Sequence, residues 1–229
     1  YLFPPRPTLA YYREAWNATG FYLRNSFMIA AGVLAVTLLV ATPAAFALAK
    51  LRLRAERPVS FLMALAQMLP ASSVVIPLFL TFYRLRLLNT HLGVILAVSA
   101  FTTPFSTIIL TAYMRSIPWA LLEAARIDGA SLFRLFWSIV LPLARPAIAT
   151  AGMLAFLLGW NDFIFSVSFL QKRGLQPMSV GLFTFVDQYG VRWNALMAGS
   201  AIYALPPVIA VLVAGKALVA GLTSGAFKE

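Results

Sequence analysis

The polar residues that could do chemistry are few in this chain, and their densest group lies between residues 123 and 142. This stretch reads EAARIDGASLFRLFWSIVLP and contains Glu123, Arg126 and Asp128 within six positions. The small alanines beside them let another surface approach the helix backbone closely. Charged side chains at the same place supply strong, directional hydrogen bonds to a partner. These residue types and spacings predict a surface for docking.

Local signals predict how this stretch folds. Pro118 suits the first position of a helix, and the residues that follow it are mostly good helix formers. Gly129 is expected to end that helix, and Ser131 is a plausible N-cap for a second one. The second helix should run until Leu141-Pro142 turns the chain back toward the next apolar segment. The product is a polar elbow, residues 116–142, made of two short helices joined at a glycine.

Catalytic and metal chemistry find little support in the composition. The chain has no Cys, one His and seven acidic residues, so thiolate and His-based metal sites are improbable. A membrane-embedded enzyme would need a convergent set of such groups, and the apolar segments contain none. The phosphate-binding pattern Gly-x4-Gly-Lys-Ser/Thr is also absent from the sequence. If the protein uses ATP, a partner must therefore bind it.

The elements that position the elbow are apolar. Hydrophobic residues make up 61% of the 229 and charged residues 11%, against about 25% charged in an ordinary soluble domain. Segments of about 20 apolar residues cross a bilayer as helices, because each must satisfy its own backbone hydrogen bonds. The sequence therefore predicts an all-α polytopic transmembrane bundle. Five spans are expected, at residues 25–49, 59–83, 92–114, 146–171 and 194–215.

The arrangement of these spans follows from the basic residues. The cluster KLRLRAER at residues 50–57 favours a cytoplasmic position for that loop, because cytoplasmic loops are rich in Lys and Arg. Residues 116–142 and the tail 221–229 would then also be cytoplasmic, residues 1–24 would be an extracytoplasmic segment, and residues 25–220 would form the transmembrane domain. The net charge of +11 is spread over short loops. This pattern favours anionic lipid headgroups as a partner over nucleic acid.

Three neighbouring residues near the end of the fourth span, Trp160, Asn161 and Asp162, are candidates for a solute pathway. Tryptophan can stack on a sugar ring, but it is also common at membrane interfaces. Asp162 could line the pathway or cap the end of the span. It lies roughly 24 Å along its span, so it is shallow for the mid-membrane ion site of a secondary transporter, which remains the alternative function.

The spacing within the elbow carries a resemblance. The elbow resembles the EAA loop of binding-protein-dependent ABC importer permeases. The matching pattern is Glu-Ala-Ala, three residues, Gly129, nine residues, Ile139, one residue and Leu141-Pro142. Other segments resemble the carbohydrate-uptake branch, and in particular the second permease subunit of maltose-type transporters. These segments are Asn25-Ser26, Ile127-Asp128-Gly129-Ala130-Ser131, Trp160-Asn161-Asp162-Phe163 and Gly221-Leu222-Thr223-Ser224-Gly225-Ala226.

The resemblance implies a function and a set of partners. The chain would be a permease subunit in a bacterial or archaeal cytoplasmic membrane, importing a sugar or related polyol with a homologous permease, an ATPase dimer and an extracytoplasmic binding protein. ATP and Mg²⁺ would be used by the ATPase, and this chain would bind no cofactor and no metal and catalyse no reaction. The family usually has six spans, so one more is expected before Tyr1.

The resemblance also assigns residues to these contacts. The elbow becomes a coupling helix that sits in a cleft of the ATPase, through Glu123, Ala124, Ala125, Arg126, Asp128, Gly129, Ile139, Leu141 and Pro142. The outer loop, residues 171–194, would reach into the binding protein, and the alternative is a plain solvated connector. Its candidate contacts are Gly174, Pro177, Tyr189, Gly190 and Trp193.

Overall fold

A computed structural model gives the fold of residues 8–51, 53–187 and 190–226, with the backbone alone for residues 187 and 214–226. Helices dominate this described part of the chain, and a two-stranded antiparallel hairpin is its only sheet. The first half contains four helices, α1 (Ala10–Lys50), α2 (Glu56–Ala66), α3 (Ala71–Arg84) and α4 (His91–Ser116).

The second half begins with the predicted elbow. It comprises α5 (Trp119–Ile127), α6 (Leu132–Leu135), a π-helical turn (Phe136–Val140) and α7 (Leu141–Leu143). The chain then enters α8 (Arg145–Asn161) and α9 (Ile164–Phe169). A folded outer segment follows, with α10 (Met178–Gly181) between two 3₁₀ turns, Arg173–Leu175 and Leu182–Phe185. The strands β1 (Val186–Asp187) and β2 (Gly190–Val191) lead into α11 (Trp193–Ala226).

The core lies where α1, α4 and α8 pack against one another, and small residues allow the close approach. A Cβ on Gly159 would lie 2.9 Å from the Cβ of Val33 and 3.1 Å from the Cα of Ala30. Thr37 on α1 and Thr102 on α4 share a buried hydrogen bond of 2.6 Å between their hydroxyl oxygens. Glycine contacts and interhelical hydroxyl bonds are the usual means of joining helices in a membrane.

The described residues contain three helices that are long and apolar enough to cross a membrane, α1, α4 and residues 193–213 of α11. Two bent pairs qualify when each pair is taken together. One pair is α2 with α3, bent by 100°, and the other is residues 132–143 with α8, bent by 77°. By length and composition, the described residues are therefore compatible with up to five spans, and the predicted bounds of the spans stay a prediction.

The helix bounds correct the predicted segments in several places. Helix α1 begins at Ala10 and not at residue 25, because its first turns are packed: Ala15 is buried against Phe185, Ala195 and Ala198. The second predicted span is broken between Ala66 and Ala71. The fourth is broken after Asn161, and the last helix continues beyond residue 215.

Candidate functional site

The first helix of the elbow is fastened to the bundle by one apolar side chain. Leu122 is 2% exposed and belongs to a buried cluster formed by α1, α4, α5, the π turn and α8. Pro118 precedes the helix with an extended backbone, φ −60° and ψ 135°, so the chain turns sharply between α4 and α5. Leu122 therefore holds α5 against the bundle.

The free face of α5 carries the charged residues of the predicted site. Glu123, Arg126 and Asp128 are exposed, and Ala125 is half-buried. Ile127 lies among them and is 87% exposed. The residues of the other half of the elbow add apolar surface beside it, with Phe133 72% and Trp137 51% exposed. A mixed surface of charges and exposed apolar side chains is typical of a protein interaction site.

The turn after α5 has the geometry that the sequence predicts. Gly129 has φ +81°, in the left-handed region that glycine adopts without strain. The N–H of Gly129 donates to the carbonyl of Arg126 at 3.0 Å, and the N–H of Ala130 donates to that of Ala125 at 2.9 Å. These two bonds form a Schellman motif, which satisfies the last carbonyls of the helix.

The second half of the elbow returns the chain to the bundle. The Ser131 hydroxyl accepts the N–H of Arg134 at 3.3 Å, so Ser131 is the predicted N-cap. The helix then widens into a π turn immediately before Pro142, which cannot donate a backbone hydrogen bond. Ile139, Leu141 and Pro142 are half-buried here. They lie where the chain returns to the bundle, and their part in coupling stays a prediction.

A cleft of about 320 Å³ opens beside α5 on the side that faces the end of α1. Glu123 and Arg126 contribute their side chains to it, so part of the predicted docking residues face a concave surface. The remaining residues of the cleft are Lys50, Leu51, Trp119 and Leu122.

The three solute-pathway candidates do not share one surface. Trp160 is 1% exposed and its indole is stacked between Phe156 and Tyr203, at ring centroid distances of 5.7 and 5.4 Å. Because its side chain is buried by these contacts, Trp160 packs the bundle in this conformation and offers no free ring face. Asn161 is exposed at the end of α8. The place of Trp160 on a solute pathway stays a prediction.

Asp162 caps a helix, one of its two predicted roles, and its place on a solute pathway stays a prediction. Its carboxylate accepts the N–H and the hydroxyl of Ser166 at 2.9 and 2.7 Å, so it caps α9. It also lines a pocket of about 350 Å³ at the break between α2 and α3. Gln67 lies at this break and donates to the carbonyl of Phe101 at 2.9 Å. Gln67 was not predicted from the sequence.

The outer loop is folded onto α1 in the region of residues 174–178. The Asn25 amide donates to the carbonyls of Gly174 and Gln176, both at 2.9 Å. The Ser26 hydroxyl accepts the N–H of Met178 at 2.8 Å. Asn25-Ser26, which the resemblance singled out without a role, therefore holds the outer segment in place.

The predicted binding-protein contacts divide into exposed and buried residues. Gly174 and Gly190 are exposed, and Trp193 is 64% exposed at the start of α11. Pro177 is buried just before α10, whose first residue, Met178, donates its N–H to Ser26 of α1. Tyr189 lies outside the described residues.

A bundle of apolar helices with a polar elbow between α4 and α8 defines a polytopic membrane protein of the permease class. Residues 38–224 match the family described as the binding-protein-dependent transport system inner membrane component. The chain belongs to this family, as its elbow predicted.

Similar proteins include permeases of sugar transport systems. The sulfoquinovosyl glycerol transport system permease protein of Agrobacterium fabrum is 32% identical over 228 residues, 99% of this chain and 80% of that protein. The trehalose/maltose transport system permease protein of Thermococcus litoralis is 34% identical over 208 residues, 90% and 75% respectively. The resemblance to the maltose-type branch is thus confirmed.

The fold is also that of a solved structure. A chain of a bacterial ABC transporter involved in the import of the polysaccharide alginate has a TM-score of 0.80 and 23% sequence identity. The match covers 93% of this chain and 80% of that one. It confirms the predicted all-α fold of ABC importer permeases.

Proposed function

We propose that this chain is a transmembrane permease subunit of an ATP-driven importer that moves a sugar or related polyol across a bacterial or archaeal cytoplasmic membrane. It acts with a homologous permease, an ATPase dimer and an extracytoplasmic binding protein. Its contribution is a pathway and a mechanical connection, without covalent chemistry of its own.

The exposed face of α5 carries this proposal. A helix that is fixed to the bundle by Leu122 and ends in a Schellman turn presents charges and apolar side chains outside the predicted spans. An ATPase subunit that holds this face would pull on α4 and α8, because α5 lies between them in the chain. Rigid-body movement of the ATPase then rearranges the spans.

The outer segment supplies the second contact of the mechanism. Gly174, Gly190 and Trp193 are exposed on it, and Asn25 ties its backbone to α1. A binding protein that docks here would contact a structured surface. Membrane helices would thereby sense the loaded binding protein through α1.

The solute class rests on the relatives. The printed names of two of them specify sulfoquinovosyl glycerol and trehalose/maltose. Asp162 and Gln67, in the pocket at the α2–α3 break, are the polar groups through which this chain would contact sugar hydroxyls.

The test is co-purification and uptake. Tagged permease, expressed with the genes that neighbour its own, should recover an ATPase and a second permease. Membrane vesicles containing this complex should import one of a panel of radiolabelled trehalose, maltose and sulfoquinovosyl glycerol only when ATP is supplied. A secondary transporter would instead lose uptake when an ionophore collapses the ion gradient, and would keep it without ATP.

A further inference from the structure

Lys50, the last residue of α1, is buried in a way that the function proposed above does not explain. The residue is only 2% exposed, whereas the basic residues that follow it, Arg54 and Arg57, are exposed. Burial of an ammonium group is costly unless hydrogen bonds and opposite charge compensate it. Its position therefore depends on specific partners.

The first partner is the backbone between α4 and α5. The Lys50 ammonium Nζ donates to the carbonyl oxygen of Ile117 at 2.6 Å. Ile117 follows the last residue of α4, and Pro118 precedes the first residue of α5. Hydrogen bonds to charged groups are stronger than neutral ones. This bond therefore joins the end of α1 to the point where the chain enters the elbow.

The second partner is the first residue of α5. The Lys50 ammonium lies 5.1 Å from the centroid of the Trp119 ring, within the range of a cation–π interaction. A second connection in this region, the ion pair between Arg115 and Glu56, is largely exposed and such pairs contribute little. Among these contacts, the Lys50 ammonium is the buried polar connection.

The two contacts of Lys50 and the packing of Leu122 act on α5 in different ways. Apolar packing of Leu122 sets the depth of α5 against the bundle but has no directional preference. The hydrogen bond and the ring contact at the N-terminal end of α5 add direction. Because Glu123 and Arg126 line the same cleft as Lys50, the orientation of α5 also sets where these two side chains lie.

We propose that Lys50 is a positioning residue that fixes the orientation of α5 relative to α1, so that a displacement of α5 is passed directly into α1. The proposal rests on the function above only for the origin of the displacement. The connection itself is a property of this chain.

The experiment measures the connection in the full chain, reconstituted in phospholipid nanodiscs. Because the chain has no Cys, spin labels can be placed at Leu39 and Ile127, which are 75% and 87% exposed. Distances between them report on α1 and α5. A second pair, Leu39 and Phe105, reports on α1 and α4 within the bundle. Unlabelled variants are assayed for binding of the co-purified ATPase.

Lys50→Met keeps a long apolar side chain and removes the ammonium. We expect it to broaden the 39–127 distance distribution, to leave the 39–105 distribution unchanged, and to weaken ATPase binding about tenfold. Lys50→Arg should retain the narrow distribution. Arg54→Met removes an exposed cation nearby and is the matched control, expected to behave as the wild type.

An unchanged 39–127 distribution in Lys50→Met, or equal broadening in Arg54→Met, would overturn the proposal. If Lys50→Met does not give a monodisperse protein, Lys50→Gln is judged by the same criteria. The outcome is separate from the proposed function. A wild-type chain that recovers no ATPase refutes that function, while the spin-label distances still decide whether Lys50 holds α5.

Discussion

At Gly129 the effect of backbone conformation on ATPase binding can be tested separately from the effect of side-chain bulk. A Cβ at this position would meet no atom within 4 Å, so the structure of the chain itself leaves room for a side chain. The obstacle is φ, which is +81°. For a residue with a Cβ, the left-handed region is about 1–2 kcal/mol less favourable than the right-handed one, and the difference is largest for β-branched residues.

These values give graded expectations for three substitutions. Gly129→Ala should weaken ATPase binding about fivefold, the change for about 1 kcal/mol, and Gly129→Val about 30-fold, the change for about 2 kcal/mol. Gly129→Asn should stay near the wild type, because Asn tolerates positive φ. These are upper values, reached when the bound conformation must retain the Schellman turn.

The assay is titration of purified ATPase onto permease in nanodiscs, with uptake in vesicles at equal permease abundance. Asn and Val both add a side chain at residue 129 but differ in their tolerance of positive φ, so comparing them separates bulk from backbone conformation. If Gly129→Asn binds as poorly as Gly129→Val, the ATPase excludes bulk and the backbone argument is refuted. If Gly129→Val retains wild-type binding and uptake, ATPase docking does not depend on the Schellman turn at Gly129.

Three further predictions concern other parts of the chain. Gly159→Ala should lower the thermal unfolding temperature, because its Cβ would lie 2.9 Å from Val33 Cβ and overpacking costs about 1–3 kcal/mol; Gly174→Ala, with no atom within 4 Å, should not. Asn25→Leu should accelerate tryptic cleavage in the outer segment by removing both of its bonds to that segment, whereas Asn194→Leu, at an exposed position, should leave the cleavage rate unchanged. Single cysteines at residues 54 and 130 should resist an impermeant thiol reagent in intact cells and one at residue 174 should react, and labelling at 130 from outside would reverse the predicted orientation.

Local structure in the elbow could be read from the sequence because each determinant acts on its own residue or its close neighbours. Gly129 takes a positive φ and Ser131 caps the next helix, whereas Pro118 is the N-cap of α5 and not its first helical residue as predicted. None of these effects needs knowledge of a distant contact. The same reasoning found the start of α6 and the end of α5.

The positions of proline in the sequence, by contrast, do not by themselves indicate where a helix is broken. Pro43 and Pro104 lie inside continuous helices, whereas Pro70 lies at a bend of 100° between α2 and α3. A proline removes one hydrogen bond in every case. Whether the helix continues depends on neighbours that satisfy the freed carbonyl, and a single sequence does not specify them.

Contacts between residues that are far apart in the sequence also could not be predicted. Asn25 bonds to carbonyls 149 and 151 positions away, and Lys50 bonds to one 67 positions away. Trp160 contacts the rings of Phe156 on its own helix and of Tyr203 on α11. Because Tyr203 belongs to another helix, the sequence alone does not indicate that Trp160 is buried. Such contacts follow from the packed bundle, not from local preference.

Helix α1 connects the two ends of the molecule, and this gives its unusual length a physical role. Its 41 residues extend about 60 Å at 1.5 Å per residue, twice the thickness of the hydrocarbon core. Near its middle Asn25 holds the outer segment, and at its end Lys50 holds α5. Between these points α1 packs on α4 and α8 through small residues and a buried hydroxyl pair. A force on either surface is therefore delivered to the same helix, and the bundle has to respond to both surfaces together.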